Sequence, residues 1–188
     1  MTVRKILRMG DPKLLEPSKA IHDVPSKALD QLIEDMLETM EASDGAGLAA
    51  PQIGEPKRLV VFGMKDEAVP NMRYPDTEQV PLTILINPII VPIGEEMVEN
   101  WEGCLSIPGM RGLVSRYANI HYRGLDPMGN LIDRKVTGFH AIVVQHECDH
   151  LDGILYPMRI SHMSCFGFED ELSQPNSIQQ AENTTEEI

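Results

Sequence analysis

Basic residues, cysteines and long apolar runs are all scarce in this chain of 188 residues. Sixteen Lys and Arg stand against 29 Asp and Glu, so the formal net charge is −13. This acidic balance argues against a protein held to nucleic acid by phosphate contacts and against a polybasic membrane anchor. No apolar run approaches the roughly 18 to 20 residues that a bilayer span requires. The composition therefore predicts a globular protein with no specific nucleic-acid partner and no membrane contact.

Two further absences bear on location and organisation. Three cysteines at irregular spacing do not form a disulfide framework, and the opening MTVRKILRMGDPKLLEP has neither an apolar signal core nor a small-residue cleavage site. We therefore expect a reducing, cytoplasmic compartment. The segment 169–188 holds six acids and no Lys or Arg. One folded domain over residues 1–168 and an acidic, weakly structured tail over 169–188 are predicted.

Hydrophobic periodicity predicts an early amphipathic helix, several strands and a late helix. The early helix starts after Ser26 and ends near Ser43, and the late helix runs from about Thr137 to Asp152. Between them we expect an exposed loop and strands, one of which leads into a hairpin through the turn DPMGN. The predicted loop is Gly63 to Pro81. The predicted strands are Arg58 to Phe62, Thr83 to Ile93, Val114 to Tyr122 and LIDRKV, which returns from the turn. The prolines in Thr83 to Ile93 predict that this strand is an edge strand or a bulged pair. This order is typical of an α+β domain.

The sharpest local signal is HECDH on the late helix. His146 and His150 are four residues apart, so both imidazoles lie on one helix face and are close enough to share a metal ion. Glu147 is adjacent and can act as a general base and then a general acid. Chance occurrence of an HExxH string is the competing explanation.

Two histidines leave the site incomplete, because hydrolytic metals usually have three protein ligands and one open position. The extended zinc-peptidase pattern would place a third His where Tyr156 stands, and Glu169 and Glu171 lie at the start of the acidic tail. Cys104, in WEGCLSIPG, is a better candidate because a thiolate is a strong ligand for Fe²⁺ or Zn²⁺. An inert buried cysteine is the alternative for Cys104. Cys148 points roughly 200° around the helix from His146 and is not a rival ligand.

Three separated segments, GAGLAAPQ (45–52), EGCLS (102–106) and QHECDH (145–150), occur together in this chain. Each is modest evidence, but in this order and at these separations they resemble the three signature motifs of the peptide deformylase family. The similarity covers roughly residues 3–168. It implies an α+β fold in which antiparallel sheets surround a central helix that carries HExxH, with the amphipathic helix on its N-terminal side.

Carried over by position, the resemblance implies that Cys104, His146 and His150 bind one divalent metal ion. In the family this ion is commonly Fe²⁺, replaceable by Ni²⁺, Co²⁺ or Zn²⁺. The implied acid and base is Glu147. The implied oxyanion donors are the Gln52 amide and the Leu105 backbone N–H, and the implied substrate contacts are Gly45, Ala46, Gly47 and Arg111. Phe139, Ile142 and Val143 are predicted either as core residues or as the pocket wall for a methionine side chain.

The implied reaction removes the formyl group from N-formylmethionine of newly synthesised polypeptides and releases formate. The implied partner is therefore a nascent chain. The ribosome would be approached only transiently and not through the acidic tail, which ribosomal RNA should repel. Two other functions remain open: a zinc endopeptidase of the ordinary HExxH kind, and a non-catalytic relative that serves as a binding module. The endopeptidase offers no role for GAGLAAPQ or EGCLS, and the binding module offers no reason to keep Cys104, Gln52 and Glu147.

Overall fold

The computed structural model describes residues 2–64 and 79–172. Within these ranges the chain forms strands and α-helices joined by short 3-10 turns. The helices are α1 Lys27–Ala42, α2 Gly138–Leu151 and α3 Glu169–Leu172. The strands are β1 Gly47–Ala49, β2 Leu59–Phe62, β3 Thr83–Pro92, β4 Met97–Cys104, β5 Ile107–Tyr117, β6 Asn119–Leu125, β7 Leu131–Thr137 and β8 Phe166–Phe168.

Helix α1 is the predicted amphipathic helix. Ser26 occupies its N-cap position and Ser43 its C-cap position. Its apolar positions recur every three or four residues and are buried against β1, β2 and the start of β3. Glu34 and Glu41 are exposed on the other face, and Glu38 is half-buried. The helix lies where the sequence predicts it, but Asp35, expected on the outward face, is buried.

The strands form two antiparallel sheets within the described residues. A five-stranded sheet has the order β1-β2-β3-β6-β7, and a three-stranded sheet has the order β4-β5-β8. The predicted hairpin is β6–β7, paired from Asn119 opposite Thr137 to Leu125 opposite Leu131. The predicted irregularity in the proline-containing strand is a register shift between Ile86 and Ile89 of β3. The α+β class is confirmed by these sheets and by the solved structures described below.

The predicted strand from Val114 to Tyr122 is wrong in one respect. It consists of the end of β5 and the start of β6, which belong to different sheets and join at Ala118. Val114, Ala118 and Ile120 are all buried, so the alternation of buried and exposed positions continues unbroken through the junction. A period of two therefore cannot reveal that the chain changes sheets.

Helix α2 lies between the two sheets and carries HECDH. Ala141, Val144 and Leu151 on one side are fully buried against the five-stranded sheet, where Phe62 and Tyr122 contribute the largest side chains. The opposite side of α2 faces the three-stranded sheet and presents the two histidines. The predicted central helix is thus observed, and burial on both sides explains why its apolar residues are not confined to one face.

Some predictions fall partly outside the described residues. The loop from Gly63 to Pro81 is described only at its two ends, and the tail only as far as Leu172. Glu169–Leu172 form the short helix α3 directly after β8, and the division of the chain at residue 168 stays a prediction. Within residues 2–64 and 79–172, no helix has the length and apolar character needed to cross a bilayer.

Candidate metal centre and active site

The three predicted ligands lie together between α2 and the three-stranded sheet. The rings of His146 and His150, one helical turn apart, have centroids 5.2 Å apart. Cys104, the last residue of β4, brings Sγ to 3.3 Å from His150 Nε2. One ligand atom from each residue lies within 4.8 Å of the others. A thiolate and two imidazoles suit a divalent transition metal such as Zn²⁺ or Fe²⁺, so this donor set fits the group that the family motifs imply.

The Cys104 thiol is buried among hydrogen-bond donors. The backbone N–H of Ser106 and the Gln52 amide each lie 3.4 Å from Sγ. Burial by itself raises the pKa of this thiol, but His150 and His146 outweigh burial and hold the pKa well below its usual value. These contacts therefore favour the thiolate, which is the form that binds a metal.

Glu102 orients the first histidine of the cluster. Its Oε2 lies 2.7 Å from His146 Nδ1, so Nδ1–H donates to the carboxylate and Nε2 is left for a metal. The buried Arg116 guanidinium donates to both carboxylate oxygens, from Nε to Oε1 at 2.7 Å and from Nη2 to Oε2 at 2.8 Å. Burial raises the pKa of Glu102, but the hydrogen bonds from Arg116 and His146 dominate and lower it to about 2.

The ion pairs continue outward from Arg116. Its third guanidinium nitrogen, Nη1, donates to Asp149, which also accepts two hydrogen bonds from Arg159 near the surface. Sequence reasoning missed the roles of Glu102, Arg116 and Asp149, although Glu102 and Asp149 lie inside the quoted motifs. Nothing local in the sequence indicates that these charges pair, since they come from β4, β5 and α2.

Glu147 is buried beside the cluster. Among the described residues its Oε2 has no hydrogen-bond partner, and the same holds for His150 Nδ1. Burial raises the pKa of Glu147 to about 7. A Cβ on Gly47 would lie only 2.3 Å from Glu147 Oε1, so any larger residue at this position would force the Glu147 carboxylate to move.

Gln52 is held by two contacts close to Cys104. Its Oε1 accepts from the backbone N–H of Ala49 at 2.8 Å, and its Nε2 donates to Ser106 Oγ at 3.1 Å. Leu105 lies in the turn that joins β4 to β5, directly after Cys104. Sequence reasoning missed Ser106 as the residue that fixes the Gln52 amide, although Ser106 is the last residue of EGCLS.

A cleft opens over these groups, and most of the predicted substrate residues border it. It is lined by Gly45, Ala46, Gly47, Gln52, Asn100, Glu102, Gly103, Cys104, Leu105, Phe139, Ile142, Val143, His146 and Glu147. Val143 and Phe139 also pack on the core of the five-stranded sheet, so both residues contact the core as well as the cleft. Arg111 is not part of this lining; its Nε lies 2.8 Å from a carboxylate oxygen of Glu169.

The other candidates for a third ligand lie elsewhere. The Tyr156 ring stacks on His146 with centroids 6.2 Å apart, but its hydroxyl donates to the carbonyl oxygen of Met110. Glu169 pairs with Arg111, as noted. Cys148 packs in the core of the five-stranded sheet, where burial raises its pKa well above the usual value of a thiol. Within residues 2–64 and 79–172, Cys104, His146 and His150 form the group of three donors suited to a metal.

The sequence pattern of the family described as polypeptide deformylase matches residues 3–165. The chain belongs to this family. It is 55% identical over 176 residues to peptide deformylase 1 of Nitrosomonas europaea, covering 94% of this chain and 98% of the relative. It is 53% identical over 170 residues to peptide deformylase 2 of Ralstonia nicotianae, covering 90% and 94% respectively.

Solved deformylase structures share the fold. A class I type b peptide deformylase from Acinetobacter baumannii bound to Met-Ala-Ser is 35% identical, with a TM-score of 0.79, and covers 85% of this chain and 99% of that one. A peptide deformylase from Thermotoga maritima is 33% identical, with a TM-score of 0.75, and covers 86% and 100%.

Family membership makes the chain a peptide deformylase, a hydrolase that removes the formyl group from newly synthesised polypeptides. The family is metal-dependent, and the cluster of one cysteine and two histidines is able to hold the metal. Both points agree with the sequence analysis and disfavour the endopeptidase and binding-module alternatives.

Proposed function

We propose that Cys104, His146 and His150 hold one divalent metal ion and that Glu147 is the acid and base of deformylation. The observation that carries this proposal is the convergence of three donor atoms within 4.8 Å beside a buried carboxylate with a free oxygen among the described residues. Gly47 is the feature that lets this carboxylate reach the cluster.

We propose Fe²⁺ as the native ion, with Zn²⁺, Ni²⁺ or Co²⁺ as replacements. When bound, the ion supplies a Lewis acid that polarises the formyl carbonyl and makes water nucleophilic near neutral pH. A thiolate and two imidazoles are donors that iron and zinc both accept. The thiolate also makes the site sensitive to oxygen, since Cys104 itself can be oxidised.

The reaction adds water to the formyl carbon and breaks the bond between that carbon and the methionine nitrogen. Glu147 takes a proton from the attacking water and delivers it to the departing amine, so that formate and a free N-terminus result. The pKa of about 7 that burial gives this carboxyl suits it to both transfers at neutral pH.

Gln52 and Leu105 stabilise the charge that collects on the carbonyl oxygen. The Gln52 amide is held 3.4 Å from Cys104 Sγ and directed toward the cluster, and the Leu105 backbone N–H is the second donor. Donors fixed before the reaction act at the transition state without reorganising, and removal of one typically costs about 2.7 to 4 kcal/mol. The Ser106 hydroxyl keeps the Gln52 amide in place.

The methionine side chain occupies the apolar part of the cleft beside Phe139, Ile142 and Val143, and the segment Gly45–Gly47 borders the peptide. The Acinetobacter baumannii relative is bound to Met-Ala-Ser, which supports a peptide that begins with methionine as the ligand of the cleft. Arg111 stays a predicted contact to residues further along the peptide, where it would exchange Glu169 for the substrate.

We also propose that the enzyme works in the cytoplasm, where formylated nascent chains emerge. Any approach to the ribosome is transient and uses a surface other than the acidic tail, because like charges repel.

The test is formate release from formyl-Met-Ala-Ser by anaerobically purified protein, with metal content determined on the same sample. We expect turnover near one metal per chain, loss of turnover with a chelator, and loss in Glu147→Gln with metal retained. Glu99→Gln, on the exposed side of β4, is the matched control and should keep full activity. Full turnover by Glu147→Gln, or metal content unchanged in Cys104→Ser, would contradict the assigned roles.

A further inference from the structure

One wall of the cleft carries a polar side chain that the roles above leave unused. Asn100 lines the cleft together with Phe139, Ile142 and Val143, the residues assigned to the methionine side chain. Asn100 adds an amide to a lining that also holds Gln52, Glu102, His146 and Glu147, and none of the roles above uses it.

The backbone directs Asn100 toward the cleft. Asn100 and Glu102 are two residues apart on β4, so their side chains leave the same face of the sheet. Glu102 on that face reaches His146 Nδ1 at 2.7 Å, and Asn100 is paired across the sheet with Val114, which is fully buried. Asn100 is half-buried and belongs to the lining of the cleft.

The Asn100 amide has more N–H donors than hydrogen bonds among the described residues. Across residues 2–64 and 79–172, its recorded hydrogen bond runs from Nδ2 to the backbone carbonyl of Trp101, at a long 3.4 Å. A primary amide has two N–H donors, so a second N–H remains for a molecule in the cleft.

We propose that Asn100 determines specificity by donating this N–H to the thioether sulfur of the substrate methionine. The proposal rests on the proposed function, which puts the methionine side chain in this part of the cleft. A thioether sulfur is a weak acceptor, whereas the methylene of norleucine, which has nearly the same shape, accepts nothing. An apolar wall alone would slightly favour norleucine because its side chain is more apolar. The hydrogen bond from Asn100 reverses that preference. The Asn100 N–H has an acceptor when methionine is bound and none when norleucine is bound.

The experiment compares kcat/KM for formyl-Met-Ala-Ser and formyl-norleucine-Ala-Ser. For the metal-loaded wild type we expect a preference for methionine of about 2- to 10-fold, the range of one neutral hydrogen bond. In Asn100→Leu, which keeps the branched shape and removes the donor, the ratio should fall to about 1 or below. Asn119→Leu on β6, outside the cleft lining, is the matched control and should keep the wild-type ratio.

A second variant keeps the test decisive if Asn100→Leu fails to fold. Asn100→Asp has the same shape and no N–H, so its ratio should also fall. A methionine preference unchanged in either folded variant, or a wild-type ratio at or below 1, overturns the role of Asn100 while deformylation itself stands. Absence of formate from the metal-loaded wild type with both substrates would instead overturn the proposed function.

Discussion

The close contact between Gly47 and Glu147 allows a single methyl group to test the position of the proposed acid and base. In Gly47→Ala the new Cβ would lie 2.3 Å from Glu147 Oε1, 2.6 Å from Cδ and 2.8 Å from Cγ. Ordinary contact begins at 3.4 Å, so the carboxylate oxygen must retreat by about 1.1 Å. A misplacement of this size in a catalytic group costs on the order of 100-fold in rate.

We therefore expect kcat of Gly47→Ala to fall by about 100-fold while the metal content stays at the wild-type level, since the ligands do not touch Gly47. The assay is formate release under saturating substrate, with metal analysis and a thermal melt of the same sample. Gly167→Ala on β8 is the matched control, because its Cβ would meet Leu172 at an ordinary 3.5 Å. A kcat of Gly47→Ala within threefold of wild type would refute the reasoning, as would loss of the metal.

Three further predictions concern residues around the site. Glu102→Gln removes the carboxylate that orients His146, and metal affinity in a chelator competition should fall by about 10- to 100-fold. Ser106→Ala releases the Gln52 amide, and kcat should fall by up to about 10-fold with KM nearly unchanged. His140 is buried neutral with its pKa lowered to about 4 by desolvation and by Arg134, so the free energy of unfolding should decrease as pH falls from 6.5 toward 4.

The sign for His140 follows from proton uptake. Between pH 6.5 and 4 the unfolded chain protonates this imidazole and the folded chain does not, so lowering the pH favours unfolding, by on the order of 3 kcal/mol across the window. Denaturant titrations at several pH values measure the slope, and His140→Gln should flatten it. An unchanged slope in His140→Gln, wild-type metal affinity in Glu102→Gln, or a Ser106→Ala variant altered in KM alone would each contradict its prediction.

The local elements and the chemistry of the short motifs could be predicted because their signals are local. The 3.6-residue period of the apolar residues in α1 indicates that one face of this helix is buried. The four-residue spacing of His146 and His150 indicates that both side chains lie on the same face of α2. The failure at Ala118 has the same origin, since alternation reports only which side of a strand is buried and continues when the chain passes from one sheet to the other.

The sequence by itself therefore determined the α+β class, the helix with its two histidines and the three motifs that identify the family. Only the tertiary structure decided which distant residues meet: Gly47 against Glu147, Ser106 against Gln52, and the ion pairs of Glu102, Arg116 and Asp149. The physical reason is that these contacts depend on how α2 packs between two sheets. The identity of a charged residue or a glycine does not reveal whether the fold places a partner beside it.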